Sequence, residues 1–272
     1  MRIPFAKMNG TGNDFIIVDG RKGAMDGIDR VEFVRKVCRR RESIGADGVI
    51  IVENSNVADF KWDFYNADGS VAEMCGNGAR CVARFAWMKR IAPKEMKFET
   101  LAGIIHATVL GKSVRVRLTD PSGFVAKGTL QAGGKKFSYS FINTGVPHAV
   151  LTVDDLEAVD VEEIGRIIRF HRRFRPAGTN VNFITKVGTE IHVRTYERGV
   201  EGETLACGTG AVASAIVACH RGLAEPPVRV VTRSGETLTV HFEPGKNGAA
   251  NVYLEGSTAL VCEGVIKEEA LN

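Results

Sequence analysis

Apolar runs of strand length punctuate this chain, and most of them begin or end at Gly, Asn or Asp. In the first half they are "DFIIVDG" (14–20), "DGVIIVE" (47–53) and "KWDFYNA" (61–67). In the second half they are "HAVLTVD" (148–154), "NVNFITK" (180–186) and "EIHVRTYE" (190–197). β-branched and aromatic runs bounded in this way predict strands. More runs follow at 97–118 and 228–256, joined by tight turns, so the strands are expected to be mostly antiparallel. Four other segments carry a helical pattern. "DRVEFVRKVCRRR" (29–41) and "DVEEIGRIIRFHRRF" (160–174) are amphipathic. "ARCVARFAWMKR" (79–90) and "AVASAIVACHR" (211–221) are small and apolar almost all round, which predicts helices buried on most sides. A sheet curled around one central helix would bury them; so would a position between two layers.

The order of elements is the same in both halves, and so are particular residues. "EMCGNGARC" (73–81) returns as "LACGTGAVA" (205–213), with Cys75 and Cys207 132 positions apart. Gly78 matches Gly210, Ala79 matches Ala211, Thr100 matches Thr232 and Gly103 matches Gly235 at the same offset. The period is too long for a solenoid. It predicts an α+β protein of two pseudo-symmetric domains made by internal duplication. Each would be a barrel-like, mostly antiparallel sheet around its central helix. The first domain is expected over 1–119, completed by the C-terminal segment 258–272, and the second over 120–257.

Composition narrows the class. The chain has 272 residues, 44% hydrophobic and 25% charged, with a net charge of +4. That mild charge gives no argument for nucleic acid, and the basic runs within 29–41 and 160–174 read as solvated helix faces. The start, "MRIPFAKMNG", lacks the pattern of a signal peptide, and "AVASAIVAC" is too short to cross a bilayer. A cytoplasmic enzyme without membrane attachment is the expectation. The six cysteines (38, 75, 81, 207, 219 and 262) include no C-x-x-C pair and predict reduced thiols, with no metal site. Cys38, Cys81, Cys219 and Cys262 read as buried structural residues.

Cys75 and Cys207 differ from those four in standing just before a helix. Helix N-terminal amides have no intrahelical partner, and the dipole there favours negative charge. A thiol at that place is expected to ionise more readily than a free one. Gly76 and Gly78, like Gly208 and Gly210, let a ligand approach the backbone, where the amides would hold a carboxylate. Two such sites facing each other could flank one carbon acid. One thiolate would remove a proton from one face and the other thiol would deliver one to the opposite face. Inversion would then need no cofactor. The plainer reading, two more buried cysteines, does not explain the duplicated glycines.

The segments "MNGTGNDF" (8–15), "MCGNGARC" (74–81) and "YERGVEGETLACGTG" (196–210) strongly resemble those of the diaminopimelate epimerase family, over essentially the whole chain. The resemblance implies cofactor-independent interconversion of LL- and meso-diaminopimelate, a step toward lysine and peptidoglycan. It implies Cys75 and Cys207 as the acid/base pair and His148 and Glu197 as neighbours that set their protonation. It implies Gly76, Asn77, Gly208 and Thr209 at the carboxylate-binding helix ends. Asn13, Asn66, Asn180, Glu197 and Arg198 would recognise the distal end of the substrate or orient the reacting one. Such groups suit an amino acid: Asn hydrogen-bonds in both senses, Glu accepts and Arg grips a carboxylate. A homodimer is also implied. Gly48 stands where some members carry Gln, and Val146 where some carry Asn. Without the motifs, Asn13 and Asn66 read as turn residues, His148 as a strand end and Glu197–Arg198 as a surface pair.

Three rival readings follow from the same residues. Proline and hydroxyproline racemases resemble the chain at the thiols, but carry His in place of Asn77 and lack "YERG". A thiol redox protein would use the same pair as a disulfide. A nucleotide site at "GTGNDF" lacks the rest of any phosphate-binding fingerprint.

Overall fold

The computed structural model describes residues 2–272, which form two compact units. One takes the chain up to Val116 and again from Gly256 to Asn272; the other is Arg117–Glu255. The first unit contains β1 (Arg2–Gly10), β2 (Asn13–Asp19), α1 (Arg30–Val37), β3 (Gly48–Glu53), β4 (Phe60–Asn66), α2 (Gly76–Met88), β5 (Glu95–Thr100), β6 (Gly103–Leu110) and β7 (Ser113–Arg117). The second contains β8 (Ser122–Ala132), β9 (Lys135–Asn143), β10 (Pro147–Thr152), α3 (Val161–Arg169), β11 (Asn180–Val187), β12 (Glu190–Glu197), β13 (Gly202–Thr204), α4 (Gly208–His220), β14 (Val228–Val231), β15 (Thr237–Gly245) and β16 (Gly248–Ser257). The final strand, β17 (Ala259–Lys267), pairs antiparallel with β1 and so belongs to the first unit.

Strand pairing shows the duplication directly. In the first unit β1–β2 is antiparallel, β2–β3 parallel, β3–β4 antiparallel, β4–β5 parallel, and β5–β6 and β6–β7 antiparallel. The series from β9 through β12 to β14 and β15–β16 repeats that alternation step for step. β8 does for β9 what β17 does for β1. The strands do not close into a barrel.

The first parallel crossover of each unit, β2–β3 and β10–β11, carries a helix on one face of the sheet. Phe33, Val34 and Val37 of α1 pack on Ile16, Val18, Val49 and Ile51. In the second unit Val161 and Ile168 of α3 pack with Val181, Phe183 and Tyr196. The other face of each sheet holds the second helix. α2 lies against β1, β2, β3 and β6, and α4 against β9 to β12, β14 and β15. A sheet covered on both sides explains why Phe15–Val18 and Val49–Val52 are continuous apolar runs, all 2% exposed or less. It also explains α4, where every residue from Gly210 to Ala218 is buried.

The structure departs from the pattern-based expectations in three places. α1 ends at Val37, short of the basic run, because Arg41 and Gly45 take left-handed backbone in the following turns. α3 ends at Arg169; His171 is extended, and only a short 3-10 turn at Arg172–Phe174 follows. Of the cysteines read as buried, Cys38 and Cys81 are, but Cys219 is half-buried and Cys262 is exposed on β17.

Candidate active site

Helix caps separate the chemistry from the scaffold. The outer helices are capped by Asp29 and Asp160, whose carboxylates accept from first-turn amides. The inner helices have Cys75 and Cys207 at the same position, both with extended backbone. Good capping side chains contribute about 1 kcal/mol over poor ones, and cysteine is not among the preferred set. Both inner helices thus carry a weak capping residue at matching places, Cys75 accepting one long bond to sulfur and Cys207 making no side-chain cap bond.

In the first unit Cys75 is half-buried, and Gly78 N–H donates to its Sγ at 3.5 Å. Asn77, in the first turn of α2, donates through Nδ2 to Asn13 Oδ1 at 2.6 Å. Asn13, opening β2, donates in turn to Asp47 Oδ2 at 3.0 Å. The turn comes close to β1: an added Cβ at Gly10 would lie 3.1 Å from the Asn77 carbonyl oxygen and 3.0 Å from Cys81 Sγ. Asn66 ends β4, exposed, and donates to Ser70 Oγ at 3.0 Å. Its neighbour Ala67 donates its N–H to the Asp47 carbonyl oxygen, so Asn66 sits beside the Asn13–Asp47 pair. Gly48 faces Asn66 across the strands, and a Cβ there would meet the Tyr65 carbonyl oxygen at 2.6 Å. The backbone itself excludes a side-chain ligand at 48.

In the second unit Cys207 is half-buried, with Thr209 Oγ1 3.5 Å from Sγ. Its thiol is pushed up to about 12 by burial and then by the charge of Glu197; the Thr209 hydroxyl and the Gly210 and Thr209 amides oppose this. The expected lowering at the helix end is therefore overturned for Cys207, because desolvation and a neighbouring carboxylate outweigh the amides. Glu197 ends β12 and accepts from Thr204 Oγ1 at 2.9 Å. Burial raises its carboxyl above the usual range, against that hydrogen bond. Asn180 opens β11; its Oδ1 accepts from Arg198 N–H at 2.7 Å and its Nδ2 donates to the Pro147 carbonyl at 3.2 Å. The Arg198 guanidinium reaches the Ala177 carbonyl at 3.4 Å.

His148 is fully buried on β10, with Nδ1 2.8 Å from Asn182 Oδ1. Asn182 Nδ2 donates to Thr195 Oγ1 at 2.8 Å. Burial, aided by the charge of Arg198 and opposed by Asn182, pulls the imidazole down to about 4. The ring is neutral near pH 7, and its Nε2 has no hydrogen-bond partner among the described residues. Asn182 also lies under the first turn of α4, where a Cβ at Gly210 would come 2.5 Å from its Nδ2.

The structure thus gathers Cys75, Gly76, Asn77, Asn13 and Asn66 in one unit. In the other it gathers His148, Asn180, Glu197, Arg198, Cys207, Gly208 and Thr209. Sequence reasoning missed Arg80, Asp47, Asn182, Thr195 and Thr204. Asn182 had a signal, since N-V-N-F alternates polar and apolar and puts Asn180 and Asn182 on one face of the strand. A cleft of about 360 Å³, walled by Tyr139, Phe141, Arg173 and Phe174, includes none of the predicted site residues.

Comparison with known proteins supplies the family. Solved structures of the same fold include a phenazine biosynthesis protein of the PhzF family from Bacillus anthracis, with TM-score 0.72 and 16% identity, over 98% of this chain and 99% of that one. A probable proline racemase from Agrobacterium radiobacter matches with TM-score 0.71 and 15% identity, over 98% and 93%. Much nearer in sequence are the diaminopimelate epimerases of Aquifex aeolicus, 50% identical over 98% of this chain and 99% of the relative, and of Hydrogenobaculum, 48% identical over 97% and 98%. The family model described as diaminopimelate epimerase matches residues 5–122 and 140–261. The chain belongs to the diaminopimelate epimerase family.

Proposed function

We propose that this protein interconverts LL- and meso-2,6-diaminopimelate without a cofactor, using Cys75 and Cys207 as a two-base pair. The observation that carries the mechanism is the duplicated cap: matching central helices each begin at a cysteine, while the outer helices begin at aspartate. The α-hydrogen of an amino acid is a very weak acid, so its removal needs a base in contact and stabilisation of the charge that develops on the carboxylate. Amides of Gly76 and Asn77, with those of Gly208 and Thr209, suit that carboxylate. Inversion requires the two sulfurs to flank one carbon from opposite sides.

Burial and the charge of Glu197 favour the protonated thiol at Cys207. In one direction one sulfur takes the substrate proton and the other returns one to the opposite face. In the reverse direction the roles exchange. His148 is neutral and buried, and Glu197, half-buried beside Cys207, has its carboxyl raised by burial; together they set the polarity around that thiol. Asn13, Asn66, Asn180 and Arg198 take the distal amino and carboxylate groups, which fixes the reacting carbon in place. The same reading carries a cytoplasmic homodimer in the supply of lysine and peptidoglycan precursors. The test is incubation with LL-diaminopimelate in heavy water with no added cofactor. The expected product is meso-diaminopimelate carrying deuterium at the inverted α-carbon. Exchange on proline with none on diaminopimelate would replace this reading with the racemase one.

A further inference from the structure

Beneath the first turn of α2 lies a chain of side chains that sequence reasoning did not single out. Arg80 is fully buried. Its Nη2 donates to Asn77 Oδ1 at 2.8 Å and to Thr11 Oγ1 at 2.7 Å, and its Nη1 to the Gly76 carbonyl at 3.3 Å. Asn77 Nδ2 donates to Asn13 Oδ1 at 2.6 Å, and Asn13 Nδ2 to Asp47 Oδ2 at 3.0 Å. Asp47 is held at its other oxygen by Arg40 at 2.8 Å. Its Oδ2 also accepts from the Asp14 amide at 3.2 Å. The four residues come from α2, the start of β2 and the residue before β3. Parallel pairing of β2 with β3 brings Asp47 beside Asn13.

The ends of this chain differ in kind. A guanidinium only donates hydrogen bonds and a carboxylate only accepts them, whereas an Asn amide does both and reverses when it turns over. Between a donor-only end and an acceptor-only end, three successive hydrogen bonds admit one orientation of the two amides. Turning over Asn77 sets its NH2 against the Arg80 N–H and its oxygen against Asn13 Oδ1. Turning over Asn13 sets NH2 against NH2 on one side and oxygen against the Asp47 carboxylate on the other. Each reversal loses two of the three bonds, which are buried at the Arg80 end and part-buried toward Asp47, where unmade bonds are costly. Both amides are therefore set before any ligand arrives.

We propose that Arg80 and Asp47, the two ends of this one-way relay, are positioning residues that fix which faces of Asn77 and Asn13 the substrate meets. This rests on the proposed substrate-binding role of Asn13 and Asn77. Neither end needs to touch substrate; they remove the cost of orienting two amides at binding. Asp47→Asn is nearly isosteric but loses the charge and has one acceptor oxygen, for which Arg40 on one side and Asn13 with the Asp14 amide on the other compete, so the acceptor-only end is weakened.

The experiment compares wild type with Asp47→Asn in steady-state kinetics on LL-diaminopimelate and in the side-chain amide NMR signals of Asn13 and Asn77 in the ligand-free protein. The expected result is a KM raised about tenfold, the scale of one charge-assisted hydrogen bond, with kcat within about twofold. Both amide signals shift, although Asn77 does not contact position 47. A KM within twofold of wild type, or an unmoved Asn77 signal, would overturn the relay. Arg80→Met removes the other end and is expected to raise KM similarly. Because Arg80 is fully buried, the deciding variant is Asp47→Asn, whose side chain is 39% exposed. The NMR comparison reads the relay even if wild type proved inactive on diaminopimelate, so the two proposals fail separately.

Discussion

Gly78 and Gly210 hold the same place in the duplicated motif, yet the structure gives them different reasons to be glycine. At Gly210 an added methyl would stand 2.5 Å from Asn182 Nδ2, 3.2 Å from Cys207 Cβ and 3.3 Å from Cys207 Sγ. That is roughly 1 Å inside ordinary contact. Asn182 cannot yield freely, since it is fully buried and hydrogen-bonded to His148 and Thr195. Gly210→Ala must therefore strain the turn or break part of that network. Overpacking costs about 1–3 kcal/mol and each lost buried hydrogen bond about 1 kcal/mol more. Alanine returns up to about 1 kcal/mol through helix propensity. The net expectation is roughly 1–3 kcal/mol of lost stability in the second unit. At Gly78 the methyl would meet Ile50 at 3.3 Å, Trp62 at 3.5 Å and Cys75 Cβ at 3.6 Å, contacts that a small adjustment accommodates. Gly78→Ala is expected to cost less than about 1 kcal/mol, with propensity offsetting the squeeze. Gly245→Ala, at an exposed strand end with open space around it, is the control. Urea unfolding followed by circular dichroism reads all three. Equal costs at 78 and 210, or a Gly210→Ala protein as stable and active as wild type, would refute the packing argument.

Other outcomes follow from the same site. His148 binds its proton less readily folded than unfolded, so its contribution to stability is present above pH 6.5 and is lost as pH falls toward about 4. The loss is roughly 3 kcal/mol at most, and His148→Gln should flatten stability across that window; an unchanged slope would contradict the buried, neutral imidazole. Glu197→Gln removes the negative charge beside Cys207, so the thiol ionises more readily. Alkylation of Cys207 by iodoacetamide, followed by peptide mass spectrometry, should quicken severalfold, and an unchanged rate would count against the charge coupling. Gly48→Ala should destabilise the first unit by about 1–3 kcal/mol in urea unfolding, because the Tyr65 carbonyl occupies the space.

How far the sequence reached depended on whether a feature was local. The Cys–Gly caps and the buried inner helices were legible because a repeat displays them twice and because "AVASAIVAC" has no polar face. The outer helices were legible in type but not in length: the basic residues after Val37 and Arg169 keep a helical look where the backbone has already turned. Protonation at Cys207 was not legible. The helix end is visible in the sequence, but Glu197 reaches Cys207 only through the pairing of β12 with its neighbours. Arg80 was in view as one of the few charges in an apolar helix, but its partners, Thr11 and Asn77, and Asp47 beyond Asn13, are brought together by tertiary structure. Cys262 was misjudged because neither face of β17 is covered at 261–263, although Ile266 further along is buried.

The most direct trial exchanges Cys75 and Cys207 singly for Ser, and measures both epimerisation of LL-diaminopimelate and elimination of halide from a 3-halogenated analogue. A sulfur on each face predicts that either exchange lowers epimerisation by about a thousandfold or more, while each variant still eliminates halide from the isomer whose α-hydrogen faces its remaining thiol. Epimerisation at the wild-type rate in either variant would contradict a reaction shared between two thiols.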